Sequence, residues 1–175
     1  MKRLLILTTV AVLAIGAIGT ASASNDQNER KDVKAKLSGF AEVPSISTTG
    51  AGKLRLRIDP TNTTITYELT YSGLQGGSAA AAHLHLGQAA VAGGVIADLC
   101  GGAKPACPAG TSGTVSGTIV AANVLGPVAQ GIAGPADWAE VLRAIRAGVV
   151  YANVHTATYP LGEIRGQLGG GKGWN

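Results

Sequence analysis

Lys53-Leu-Arg-Leu-Arg-Ile58, Asp59-Pro-Thr-Asn62 and Thr63-Thr-Ile-Thr-Tyr-Glu-Leu-Thr-Tyr71 form the continuous stretch whose reading decides the fold. Leu54, Leu56 and Ile58 alternate with Lys53, Arg55 and Arg57; Ile65, Tyr67, Leu69 and Tyr71 alternate with Thr64, Thr66, Glu68 and Thr70. Successive side chains of a strand point to opposite faces, so a period of two marks two half-buried strands. The Asp-Pro-Thr-Asn segment between them is turn chemistry. Pro presets φ, while Asp and Asn side chains bond their own backbone, and the two runs therefore form an antiparallel hairpin.

The same pattern extends outward from this hairpin. Alternation begins at Val33, Ala79–Leu86 and Gly113–Val120 read as further strands, and a short one falls near Val95–Leu99. At the C-terminal end Val150, Ala152 and Val154 face one way and Tyr151, Asn153 and His155 the other. After a Tyr159–Gly162 turn, Glu163, Arg165 and Gln167 alternate with Ile164, Gly166 and Leu168. One helix is predicted. Asp137 and Glu140 have capping-box spacing, Trp138, Val141, Leu142 and Ile145 make one apolar stripe that places Trp138 in the core, and Gly148 supplies the stop. The expected fold is all-β, an antiparallel sandwich or Greek-key barrel of about eight strands with one short helix that covers an open end or edge. The 26 glycines and single phenylalanine suit short strands joined by tight loops around an aliphatic core.

The first 23 residues stand apart from that pattern. Lys2 and Arg3 precede an apolar run, Leu4–Ile18, and Ala21-Ser22-Ala23 is a small-residue cleavage site, the layout of a secretory signal peptide. The run is short for a membrane span, and Ser24 rather than Cys follows the cut, which argues against a lipid anchor. The organisation expected is a signal peptide at 1–23, a polar leader at 24–35, one domain at 36–168 and a glycine-rich tail at 169–175, secreted or periplasmic and without a membrane span once processed. Cys100 and Cys107, close in sequence in an exported chain, read as a disulfide staple of the intervening loop, stabilising by roughly 2–3 kcal/mol in the chain-entropy model.

The charge balance excludes one class of partner. The full chain has 14 Lys and Arg against 10 Asp and Glu, and loss of Lys2 and Arg3 leaves a net charge of +2. The basic residues look scattered, with no basic stripe interleaved with aromatics, so nucleic-acid binding is not expected. Hydrolysis has no support either: no Gly-x-Ser-x-Gly element occurs and the acidic residues show no paired pattern.

All three histidines fall in strands, His83 and His85 two apart and therefore on one face, His155 on another strand. Two same-face imidazoles with a third nearby are the minimal layout of a site for copper or zinc. Tyr151, Asn153, Glu163 and Arg165 share the outward pattern, with Asn153 or Glu163 expected to orient an imidazole. The competing reading is structural. The histidines are then surface strand residues hydrogen-bonded to Asn153, Glu163 or water, His155 fixes the turn before Pro160, and Glu163 with Arg165 is an exposed ladder pair worth little.

Leu37-Ser-Gly-Phe-Ala-Glu-Val-Pro44, Ala82-His-Leu-His-Leu-Gly87, Asn153-Val-His-Thr156 and Gly162-Glu-Ile-Arg-Gly-Gln167 together resemble the CHRD domain, found in chordin and as single copies in exported microbial proteins. The resemblance spans about Lys36–Leu168 and implies an extracellular β-rich module without an established catalytic activity. It suggests a noncatalytic module binding an extracellular protein or polymer, or a purely structural matrix component. A second stretch, Gly73-Leu74 with Ala82-His-Leu-His-Leu-Gly87, is similar to the run that supplies two copper ligands in copper-zinc superoxide dismutases. That similarity implies His83 and His85 as ligands, His155 as a third by analogy, Arg165 as an anion guide, and a mononuclear copper redox enzyme as the alternative function. Three imidazoles are too few for a bridged pair of metals.

Overall fold

The computed structural model describes residues 32–169. The signal segment at 1–23, the leader up to residue 31 and the tail beyond Gly169 lie outside the described residues. Eight strands form one sheet: β1 (Asp32–Ser38), β2 (Ala51–Ile58), β3 (Thr64–Ser72), β4 (Ala79–Leu86), β5 (Val95–Cys100), β6 (Gly113–Val120), β7 (Val150–Thr156) and β8 (Ile164–Gln167). Their order is β5-β4-β7-β8-β1-β2-β3-β6, and every neighbouring pair is antiparallel. The edge strands β5 and β6 come together without a ladder, so the sheet curls into a nearly closed barrel. The Tyr67 hydroxyl crosses that seam and donates to the Leu99 carbonyl at 2.7 Å.

Hydrophobic pairing sets the register. Ile58 lies opposite Ile65, Leu56 opposite Tyr67 and Leu54 opposite Leu69, so a slip of one residue would turn the whole apolar set of β2 to solvent. The Asp59 carboxylate holds the turn, accepting from the backbone N–H of Thr61 at 3.0 Å, Thr63 at 2.7 Å and Thr64 at 2.6 Å. β1 begins at Asp32, one residue before the alternation read in the sequence. Asp32 to Ala35, assigned there to the leader, are strand, because Val33 and Ala35 are buried opposite Leu56 and Leu54. Each fully buried aliphatic side chain of this core contributes on the order of 1.5–3 kcal/mol.

The single α-helix among the described residues, α1, spans Trp138–Arg146 and buries Val141, Leu142 and Ile145 against the core. It closes the barrel end that carries the β2–β3 turn. The Trp138 indole N–H donates to the Asn62 carbonyl at 2.6 Å, and Arg146 Nη2 to Asn62 Oδ1 at 2.6 Å. Trp138 is only partly buried, packed on the core rather than within it. The expected cap is not formed. A 3-10 turn, Pro135–Asp137, runs directly into α1, and the Asp137 carboxylate turns back to accept from the Ala133 N–H at 2.6 Å. Cys100, the last residue of β5, is disulfide-bonded to Cys107 as expected.

Candidate metal centre

β4 and β7 lie side by side, with His83 opposite Asn153, His85 opposite Tyr151 and His155 opposite Ala81. Ala82, Leu84, Ala152 and Val154 take the inner face of these strands and are fully buried in the core, so the histidines project from the outer face. One nitrogen from each of the three lies within 4.8 Å of the others. The His83 side chain is 18% exposed, and His85 is buried.

Each ring has an outer acceptor for one of its nitrogens. His85 Nδ1 lies 3.0 Å from the Gly93 carbonyl, His155 Nδ1 3.0 Å from the Pro160 carbonyl, and His83 Nε2 3.4 Å from Asp98 Oδ1. These contacts fix which nitrogen carries the proton, as a hydrogen bond to the far nitrogen commonly does in a ligating imidazole. The remaining nitrogens are His83 Nδ1, His85 Nε2 and His155 Nε2. His83 Nδ1 and His155 Nε2 are 3.0 Å apart, and His85 Nε2 is buried without a hydrogen-bond partner.

The rings are held neutral. Burial pushes His85 and His155 down to about 4, with the other imidazoles adding to the effect, while Gly93 and Pro160 oppose it. Burial also lowers His83, against the pull of Asp98. Neutral imidazole is the protonation state in which a metal is bound.

The rest of the outer face is not the solvent-exposed polar surface expected from the alternation. Tyr151 and Asn153 are 3% exposed, Arg165 2% and Glu163 0%. Two loops, 39–50 and 87–94, fold over this face and supply backbone and side-chain partners. Arg165 donates to the carbonyls of Gln88 and Val91 at 2.9 Å and lies over the Tyr151 ring, 3.4 Å from its centroid. Tyr151 in turn stacks on His85, with centroids 4.8 Å apart and planes 8° from parallel, and its hydroxyl contacts the backbone of Gly93. Arg165 is thus fastened beneath a loop instead of guiding anions at an open mouth. It supports the aromatic ring against which His85 rests.

Neither Asn153 nor Glu163 hydrogen-bonds an imidazole. Asn153 Nδ2 donates to both oxygens of Glu42, at 3.0 and 3.1 Å, and burial raises the Glu42 carboxyl to about 7 despite that bond and the nearby Arg165. Glu163 forms no pair with Arg165. Burial alone would raise its carboxyl, but the bonds it accepts from Thr48, Gln75, Gly76 and Thr156 outweigh that and hold it low. The carboxylate sits so close to Gly76 that a Cβ there would meet Thr156 Oγ1 at 2.0 Å and Glu163 Oε2 at 2.8 Å. Glu163 is therefore an anchor that ties β8 to loops 39–50 and 73–78.

Sequence reasoning missed Asp98, among the described residues the one carboxylate paired with a histidine. Its signal was present as a lone acid inside the apolar run Val95-Ile-Ala-Asp-Leu-Cys100, all but the first of whose residues are buried. Glu42 was visible only as part of the Phe-Ala-Glu-Val-Pro motif, with nothing to indicate its burial against Asn153.

Fold and site together define a small antiparallel β-barrel module with three imidazoles gathered on one loop-covered outer face. A family profile, that of the CHRD domain, matches residues 33–168, and the chain belongs to the CHRD-domain family. Comparison with curated proteins and with solved structures gave no match. No helix among the described residues is long and apolar enough to cross a membrane.

Proposed function

We propose that this CHRD domain is an exported, noncatalytic binding module that holds one copper or zinc ion through His83 Nδ1, His85 Nε2 and His155 Nε2. A proton count carries the reading. His155 Nδ1 directs a hydrogen at the Pro160 carbonyl, His83 Nε2 faces the Asp98 carboxylate at 3.4 Å, and the 3.0 Å contact between His83 Nδ1 and His155 Nε2 would take a further hydrogen. Two neutral rings supply two hydrogens for these three contacts. With the ring hydrogens directed at Asp98 and Pro160, a metal ion would take the place of a hydrogen between the rings, where burial disfavours an extra proton.

The unpartnered Nε2 of His85 is accounted for by the same ion. Zinc–imidazole bonds of about 2.0–2.1 Å put tetrahedral ligand nitrogens roughly 3.3 Å apart. His83 Nδ1 and His155 Nε2 lie 3.0 Å apart, close to that spacing, and one nitrogen of each of the three rings lies within 4.8 Å of the others. Export is supported by the signal-peptide layout and by the Cys100–Cys107 disulfide, a bond that persists in oxidising compartments.

The test is metal content by elemental mass spectrometry after loading the processed chain with Cu(II) or Zn(II) and removing excess. One ion per chain is expected in the wild type and none in a His83→Ala/His85→Ala variant. Equal stoichiometry in the two proteins sinks the reading. A copper-loaded chain that consumed superoxide faster than the same amount of free copper would move the assignment to a mononuclear redox enzyme.

A further inference from the structure

The basic residues that look scattered in the sequence are gathered on the outer face of β1, β2 and β3. Lys34 and Lys36 on β1 and Lys53, Arg55 and Arg57 on β2 are all exposed, because Val33, Ala35, Leu37, Leu54, Leu56 and Ile58 take the inner positions. Register places Lys36 directly opposite Lys53 and Lys34 directly opposite Arg55. Like charges directly opposite one another weaken a strand pair. Two such pairs side by side are therefore not explained by the stability of the sheet.

Two carboxylates share this face. Asp32 is paired with Arg55 and Arg57, and Glu68 lies opposite Arg55 on β3. Among the described residues no ion pair engages Lys34, Lys36 or Lys53. These three, with Arg55, Glu68 and Thr70, line a groove of about 560 Å³. The face continues across β3 and β6 as hydroxyls: Thr70 opposite Thr114, Glu68 opposite Ser116, and Thr66 opposite Thr118. In a sheet, cations on one face repeat at about 6.8 Å along a strand and about 4.8 Å between strands. The result is a flat grid of ammonium and guanidinium groups bordered by hydroxyls.

We propose that this face is a docking surface for an acidic polysaccharide, whose carboxylate or sulfate groups meet Lys34, Lys36 and Lys53 while its hydroxyls meet the threonine and serine rows. The chemistry favours a sugar polymer over a nucleic acid. Single-stranded nucleic acids are held by stacking their bases on aromatic side chains, and the outward positions of these four strands carry none. The exposed large apolar residues Phe40, Val43, Val91, Leu125, Val128 and Leu161 all lie outside these strands, so the face offers nothing to insert into a lipid surface. None of the basic residues contacts a histidine, and the surface does not depend on the metal reading.

The test uses the processed chain freed of metal by chelation, with dextran sulfate and polygalacturonate as probes and neutral dextran, a single-stranded oligonucleotide and phosphatidylglycerol vesicles as comparisons. Binding to the two acidic polysaccharides is expected to exceed that to every comparison. A Lys34→Gln/Lys36→Gln/Lys53→Gln variant is expected to bind them about tenfold or more weakly, with the salt slope reduced by about 2 if each charge releases roughly 0.7 counterion, as on a single-stranded polyanion. Its unfolding midpoint should be unchanged or raised, since both like-charge pairs are removed, and Arg143→Gln on the helix should bind as the wild type does. Equal binding to neutral dextran, an unweakened triple variant, or stronger binding to the oligonucleotide or the vesicles overturns the proposal.

Discussion

Asp98→Asn is the sharpest probe of the histidine cluster, because it alters a residue that no metal needs to touch. Asp98 is 6% exposed and uses its two oxygens for different tasks. Oδ2 accepts from the Ala103 N–H at 2.7 Å, and Oδ1 faces His83 Nε2 at 3.4 Å. An asparagine keeps the volume but can satisfy only one of them. With its oxygen on Ala103, its NH2 opposes the N–H of His83 and drives that ring to the tautomer that places the hydrogen on Nδ1, the nitrogen assigned to the metal. Loss of a carboxylate that orients a ligating imidazole typically weakens metal binding 10–100-fold, or about 1.4–2.7 kcal/mol. A competition titration of Zn(II) against a chelator of known affinity reads this directly. The thermal midpoint of the metal-free variant, recorded in parallel, separates loss of affinity from loss of fold. Zinc affinity within about twofold of the wild type would refute the role given to Asp98, since an equivalent amide would then serve as well as the carboxylate.

Three further outcomes follow from the buried polar layer. Glu163→Gln places an NH2 where one carboxylate oxygen accepts two hydrogen bonds; the threonine hydroxyls can rotate to accept, but the backbone N–H of Gln75 or Gly76 cannot. One lost charge-assisted bond with its unsatisfied donor amounts to about 2–3 kcal/mol, measurable by urea unfolding, whereas the exposed Glu68→Gln should change stability by less than about 0.5 kcal/mol. Glu42 gives a pH signature of opposite sign to that of Glu163. Its carboxyl is raised in the fold from 4.5 to about 7, so its contribution is fully present below pH 4.5 and is lost as pH rises through 7, by at most about 3 kcal/mol. Glu42→Gln should remove that slope and, because the idle Asn153 Oδ1 can accept from the new amide, should be neutral or stabilising at pH 8; a variant that keeps the wild-type pH profile of urea unfolding contradicts the assignment. Glu163, held low, contributes stability present above the unfolded carboxyl value near 4.5 and lost as pH falls through its folded value, so Glu163→Gln should flatten the acid limb of the same profile.

The elements were legible in the sequence wherever periodicity was uninterrupted. The β2–β3 hairpin, the strand that carries His83 and His85 and the helix from Trp138 could all be read because alternation or a helical stripe reports burial on one side of an element. The same logic misjudged the outward residues of β7 and β8. Alternation tells which side chains leave the core; it does not tell whether a loop then covers them. Tyr151, Asn153, Glu163 and Arg165 point outward as expected and are nonetheless buried, because loops 39–50 and 87–94 supply carbonyls, hydroxyls and amides that satisfy them. The Asp137 cap failed for a related reason, as the chain enters α1 through a 3-10 turn and the carboxylate is taken by the N–H of Ala133 ahead of that turn.

By itself the sequence determined what is local: strand periodicity, the Asp59–Asn62 turn, the shared face of His83 and His85, the Cys100–Cys107 staple and the CHRD motifs. These follow from nearest-neighbour stereochemistry and from the alternation of apolar and polar side chains. Only the tertiary structure decided which strands are neighbours. Strand order brings His155 to His83, Asp98 behind that ring, Glu42 onto Asn153, and Lys36 opposite Lys53, in each case through pairings between segments far apart in the chain. Charge and ligation act through space, so residues that look scattered along the chain become a site and a surface once the sheet order is known.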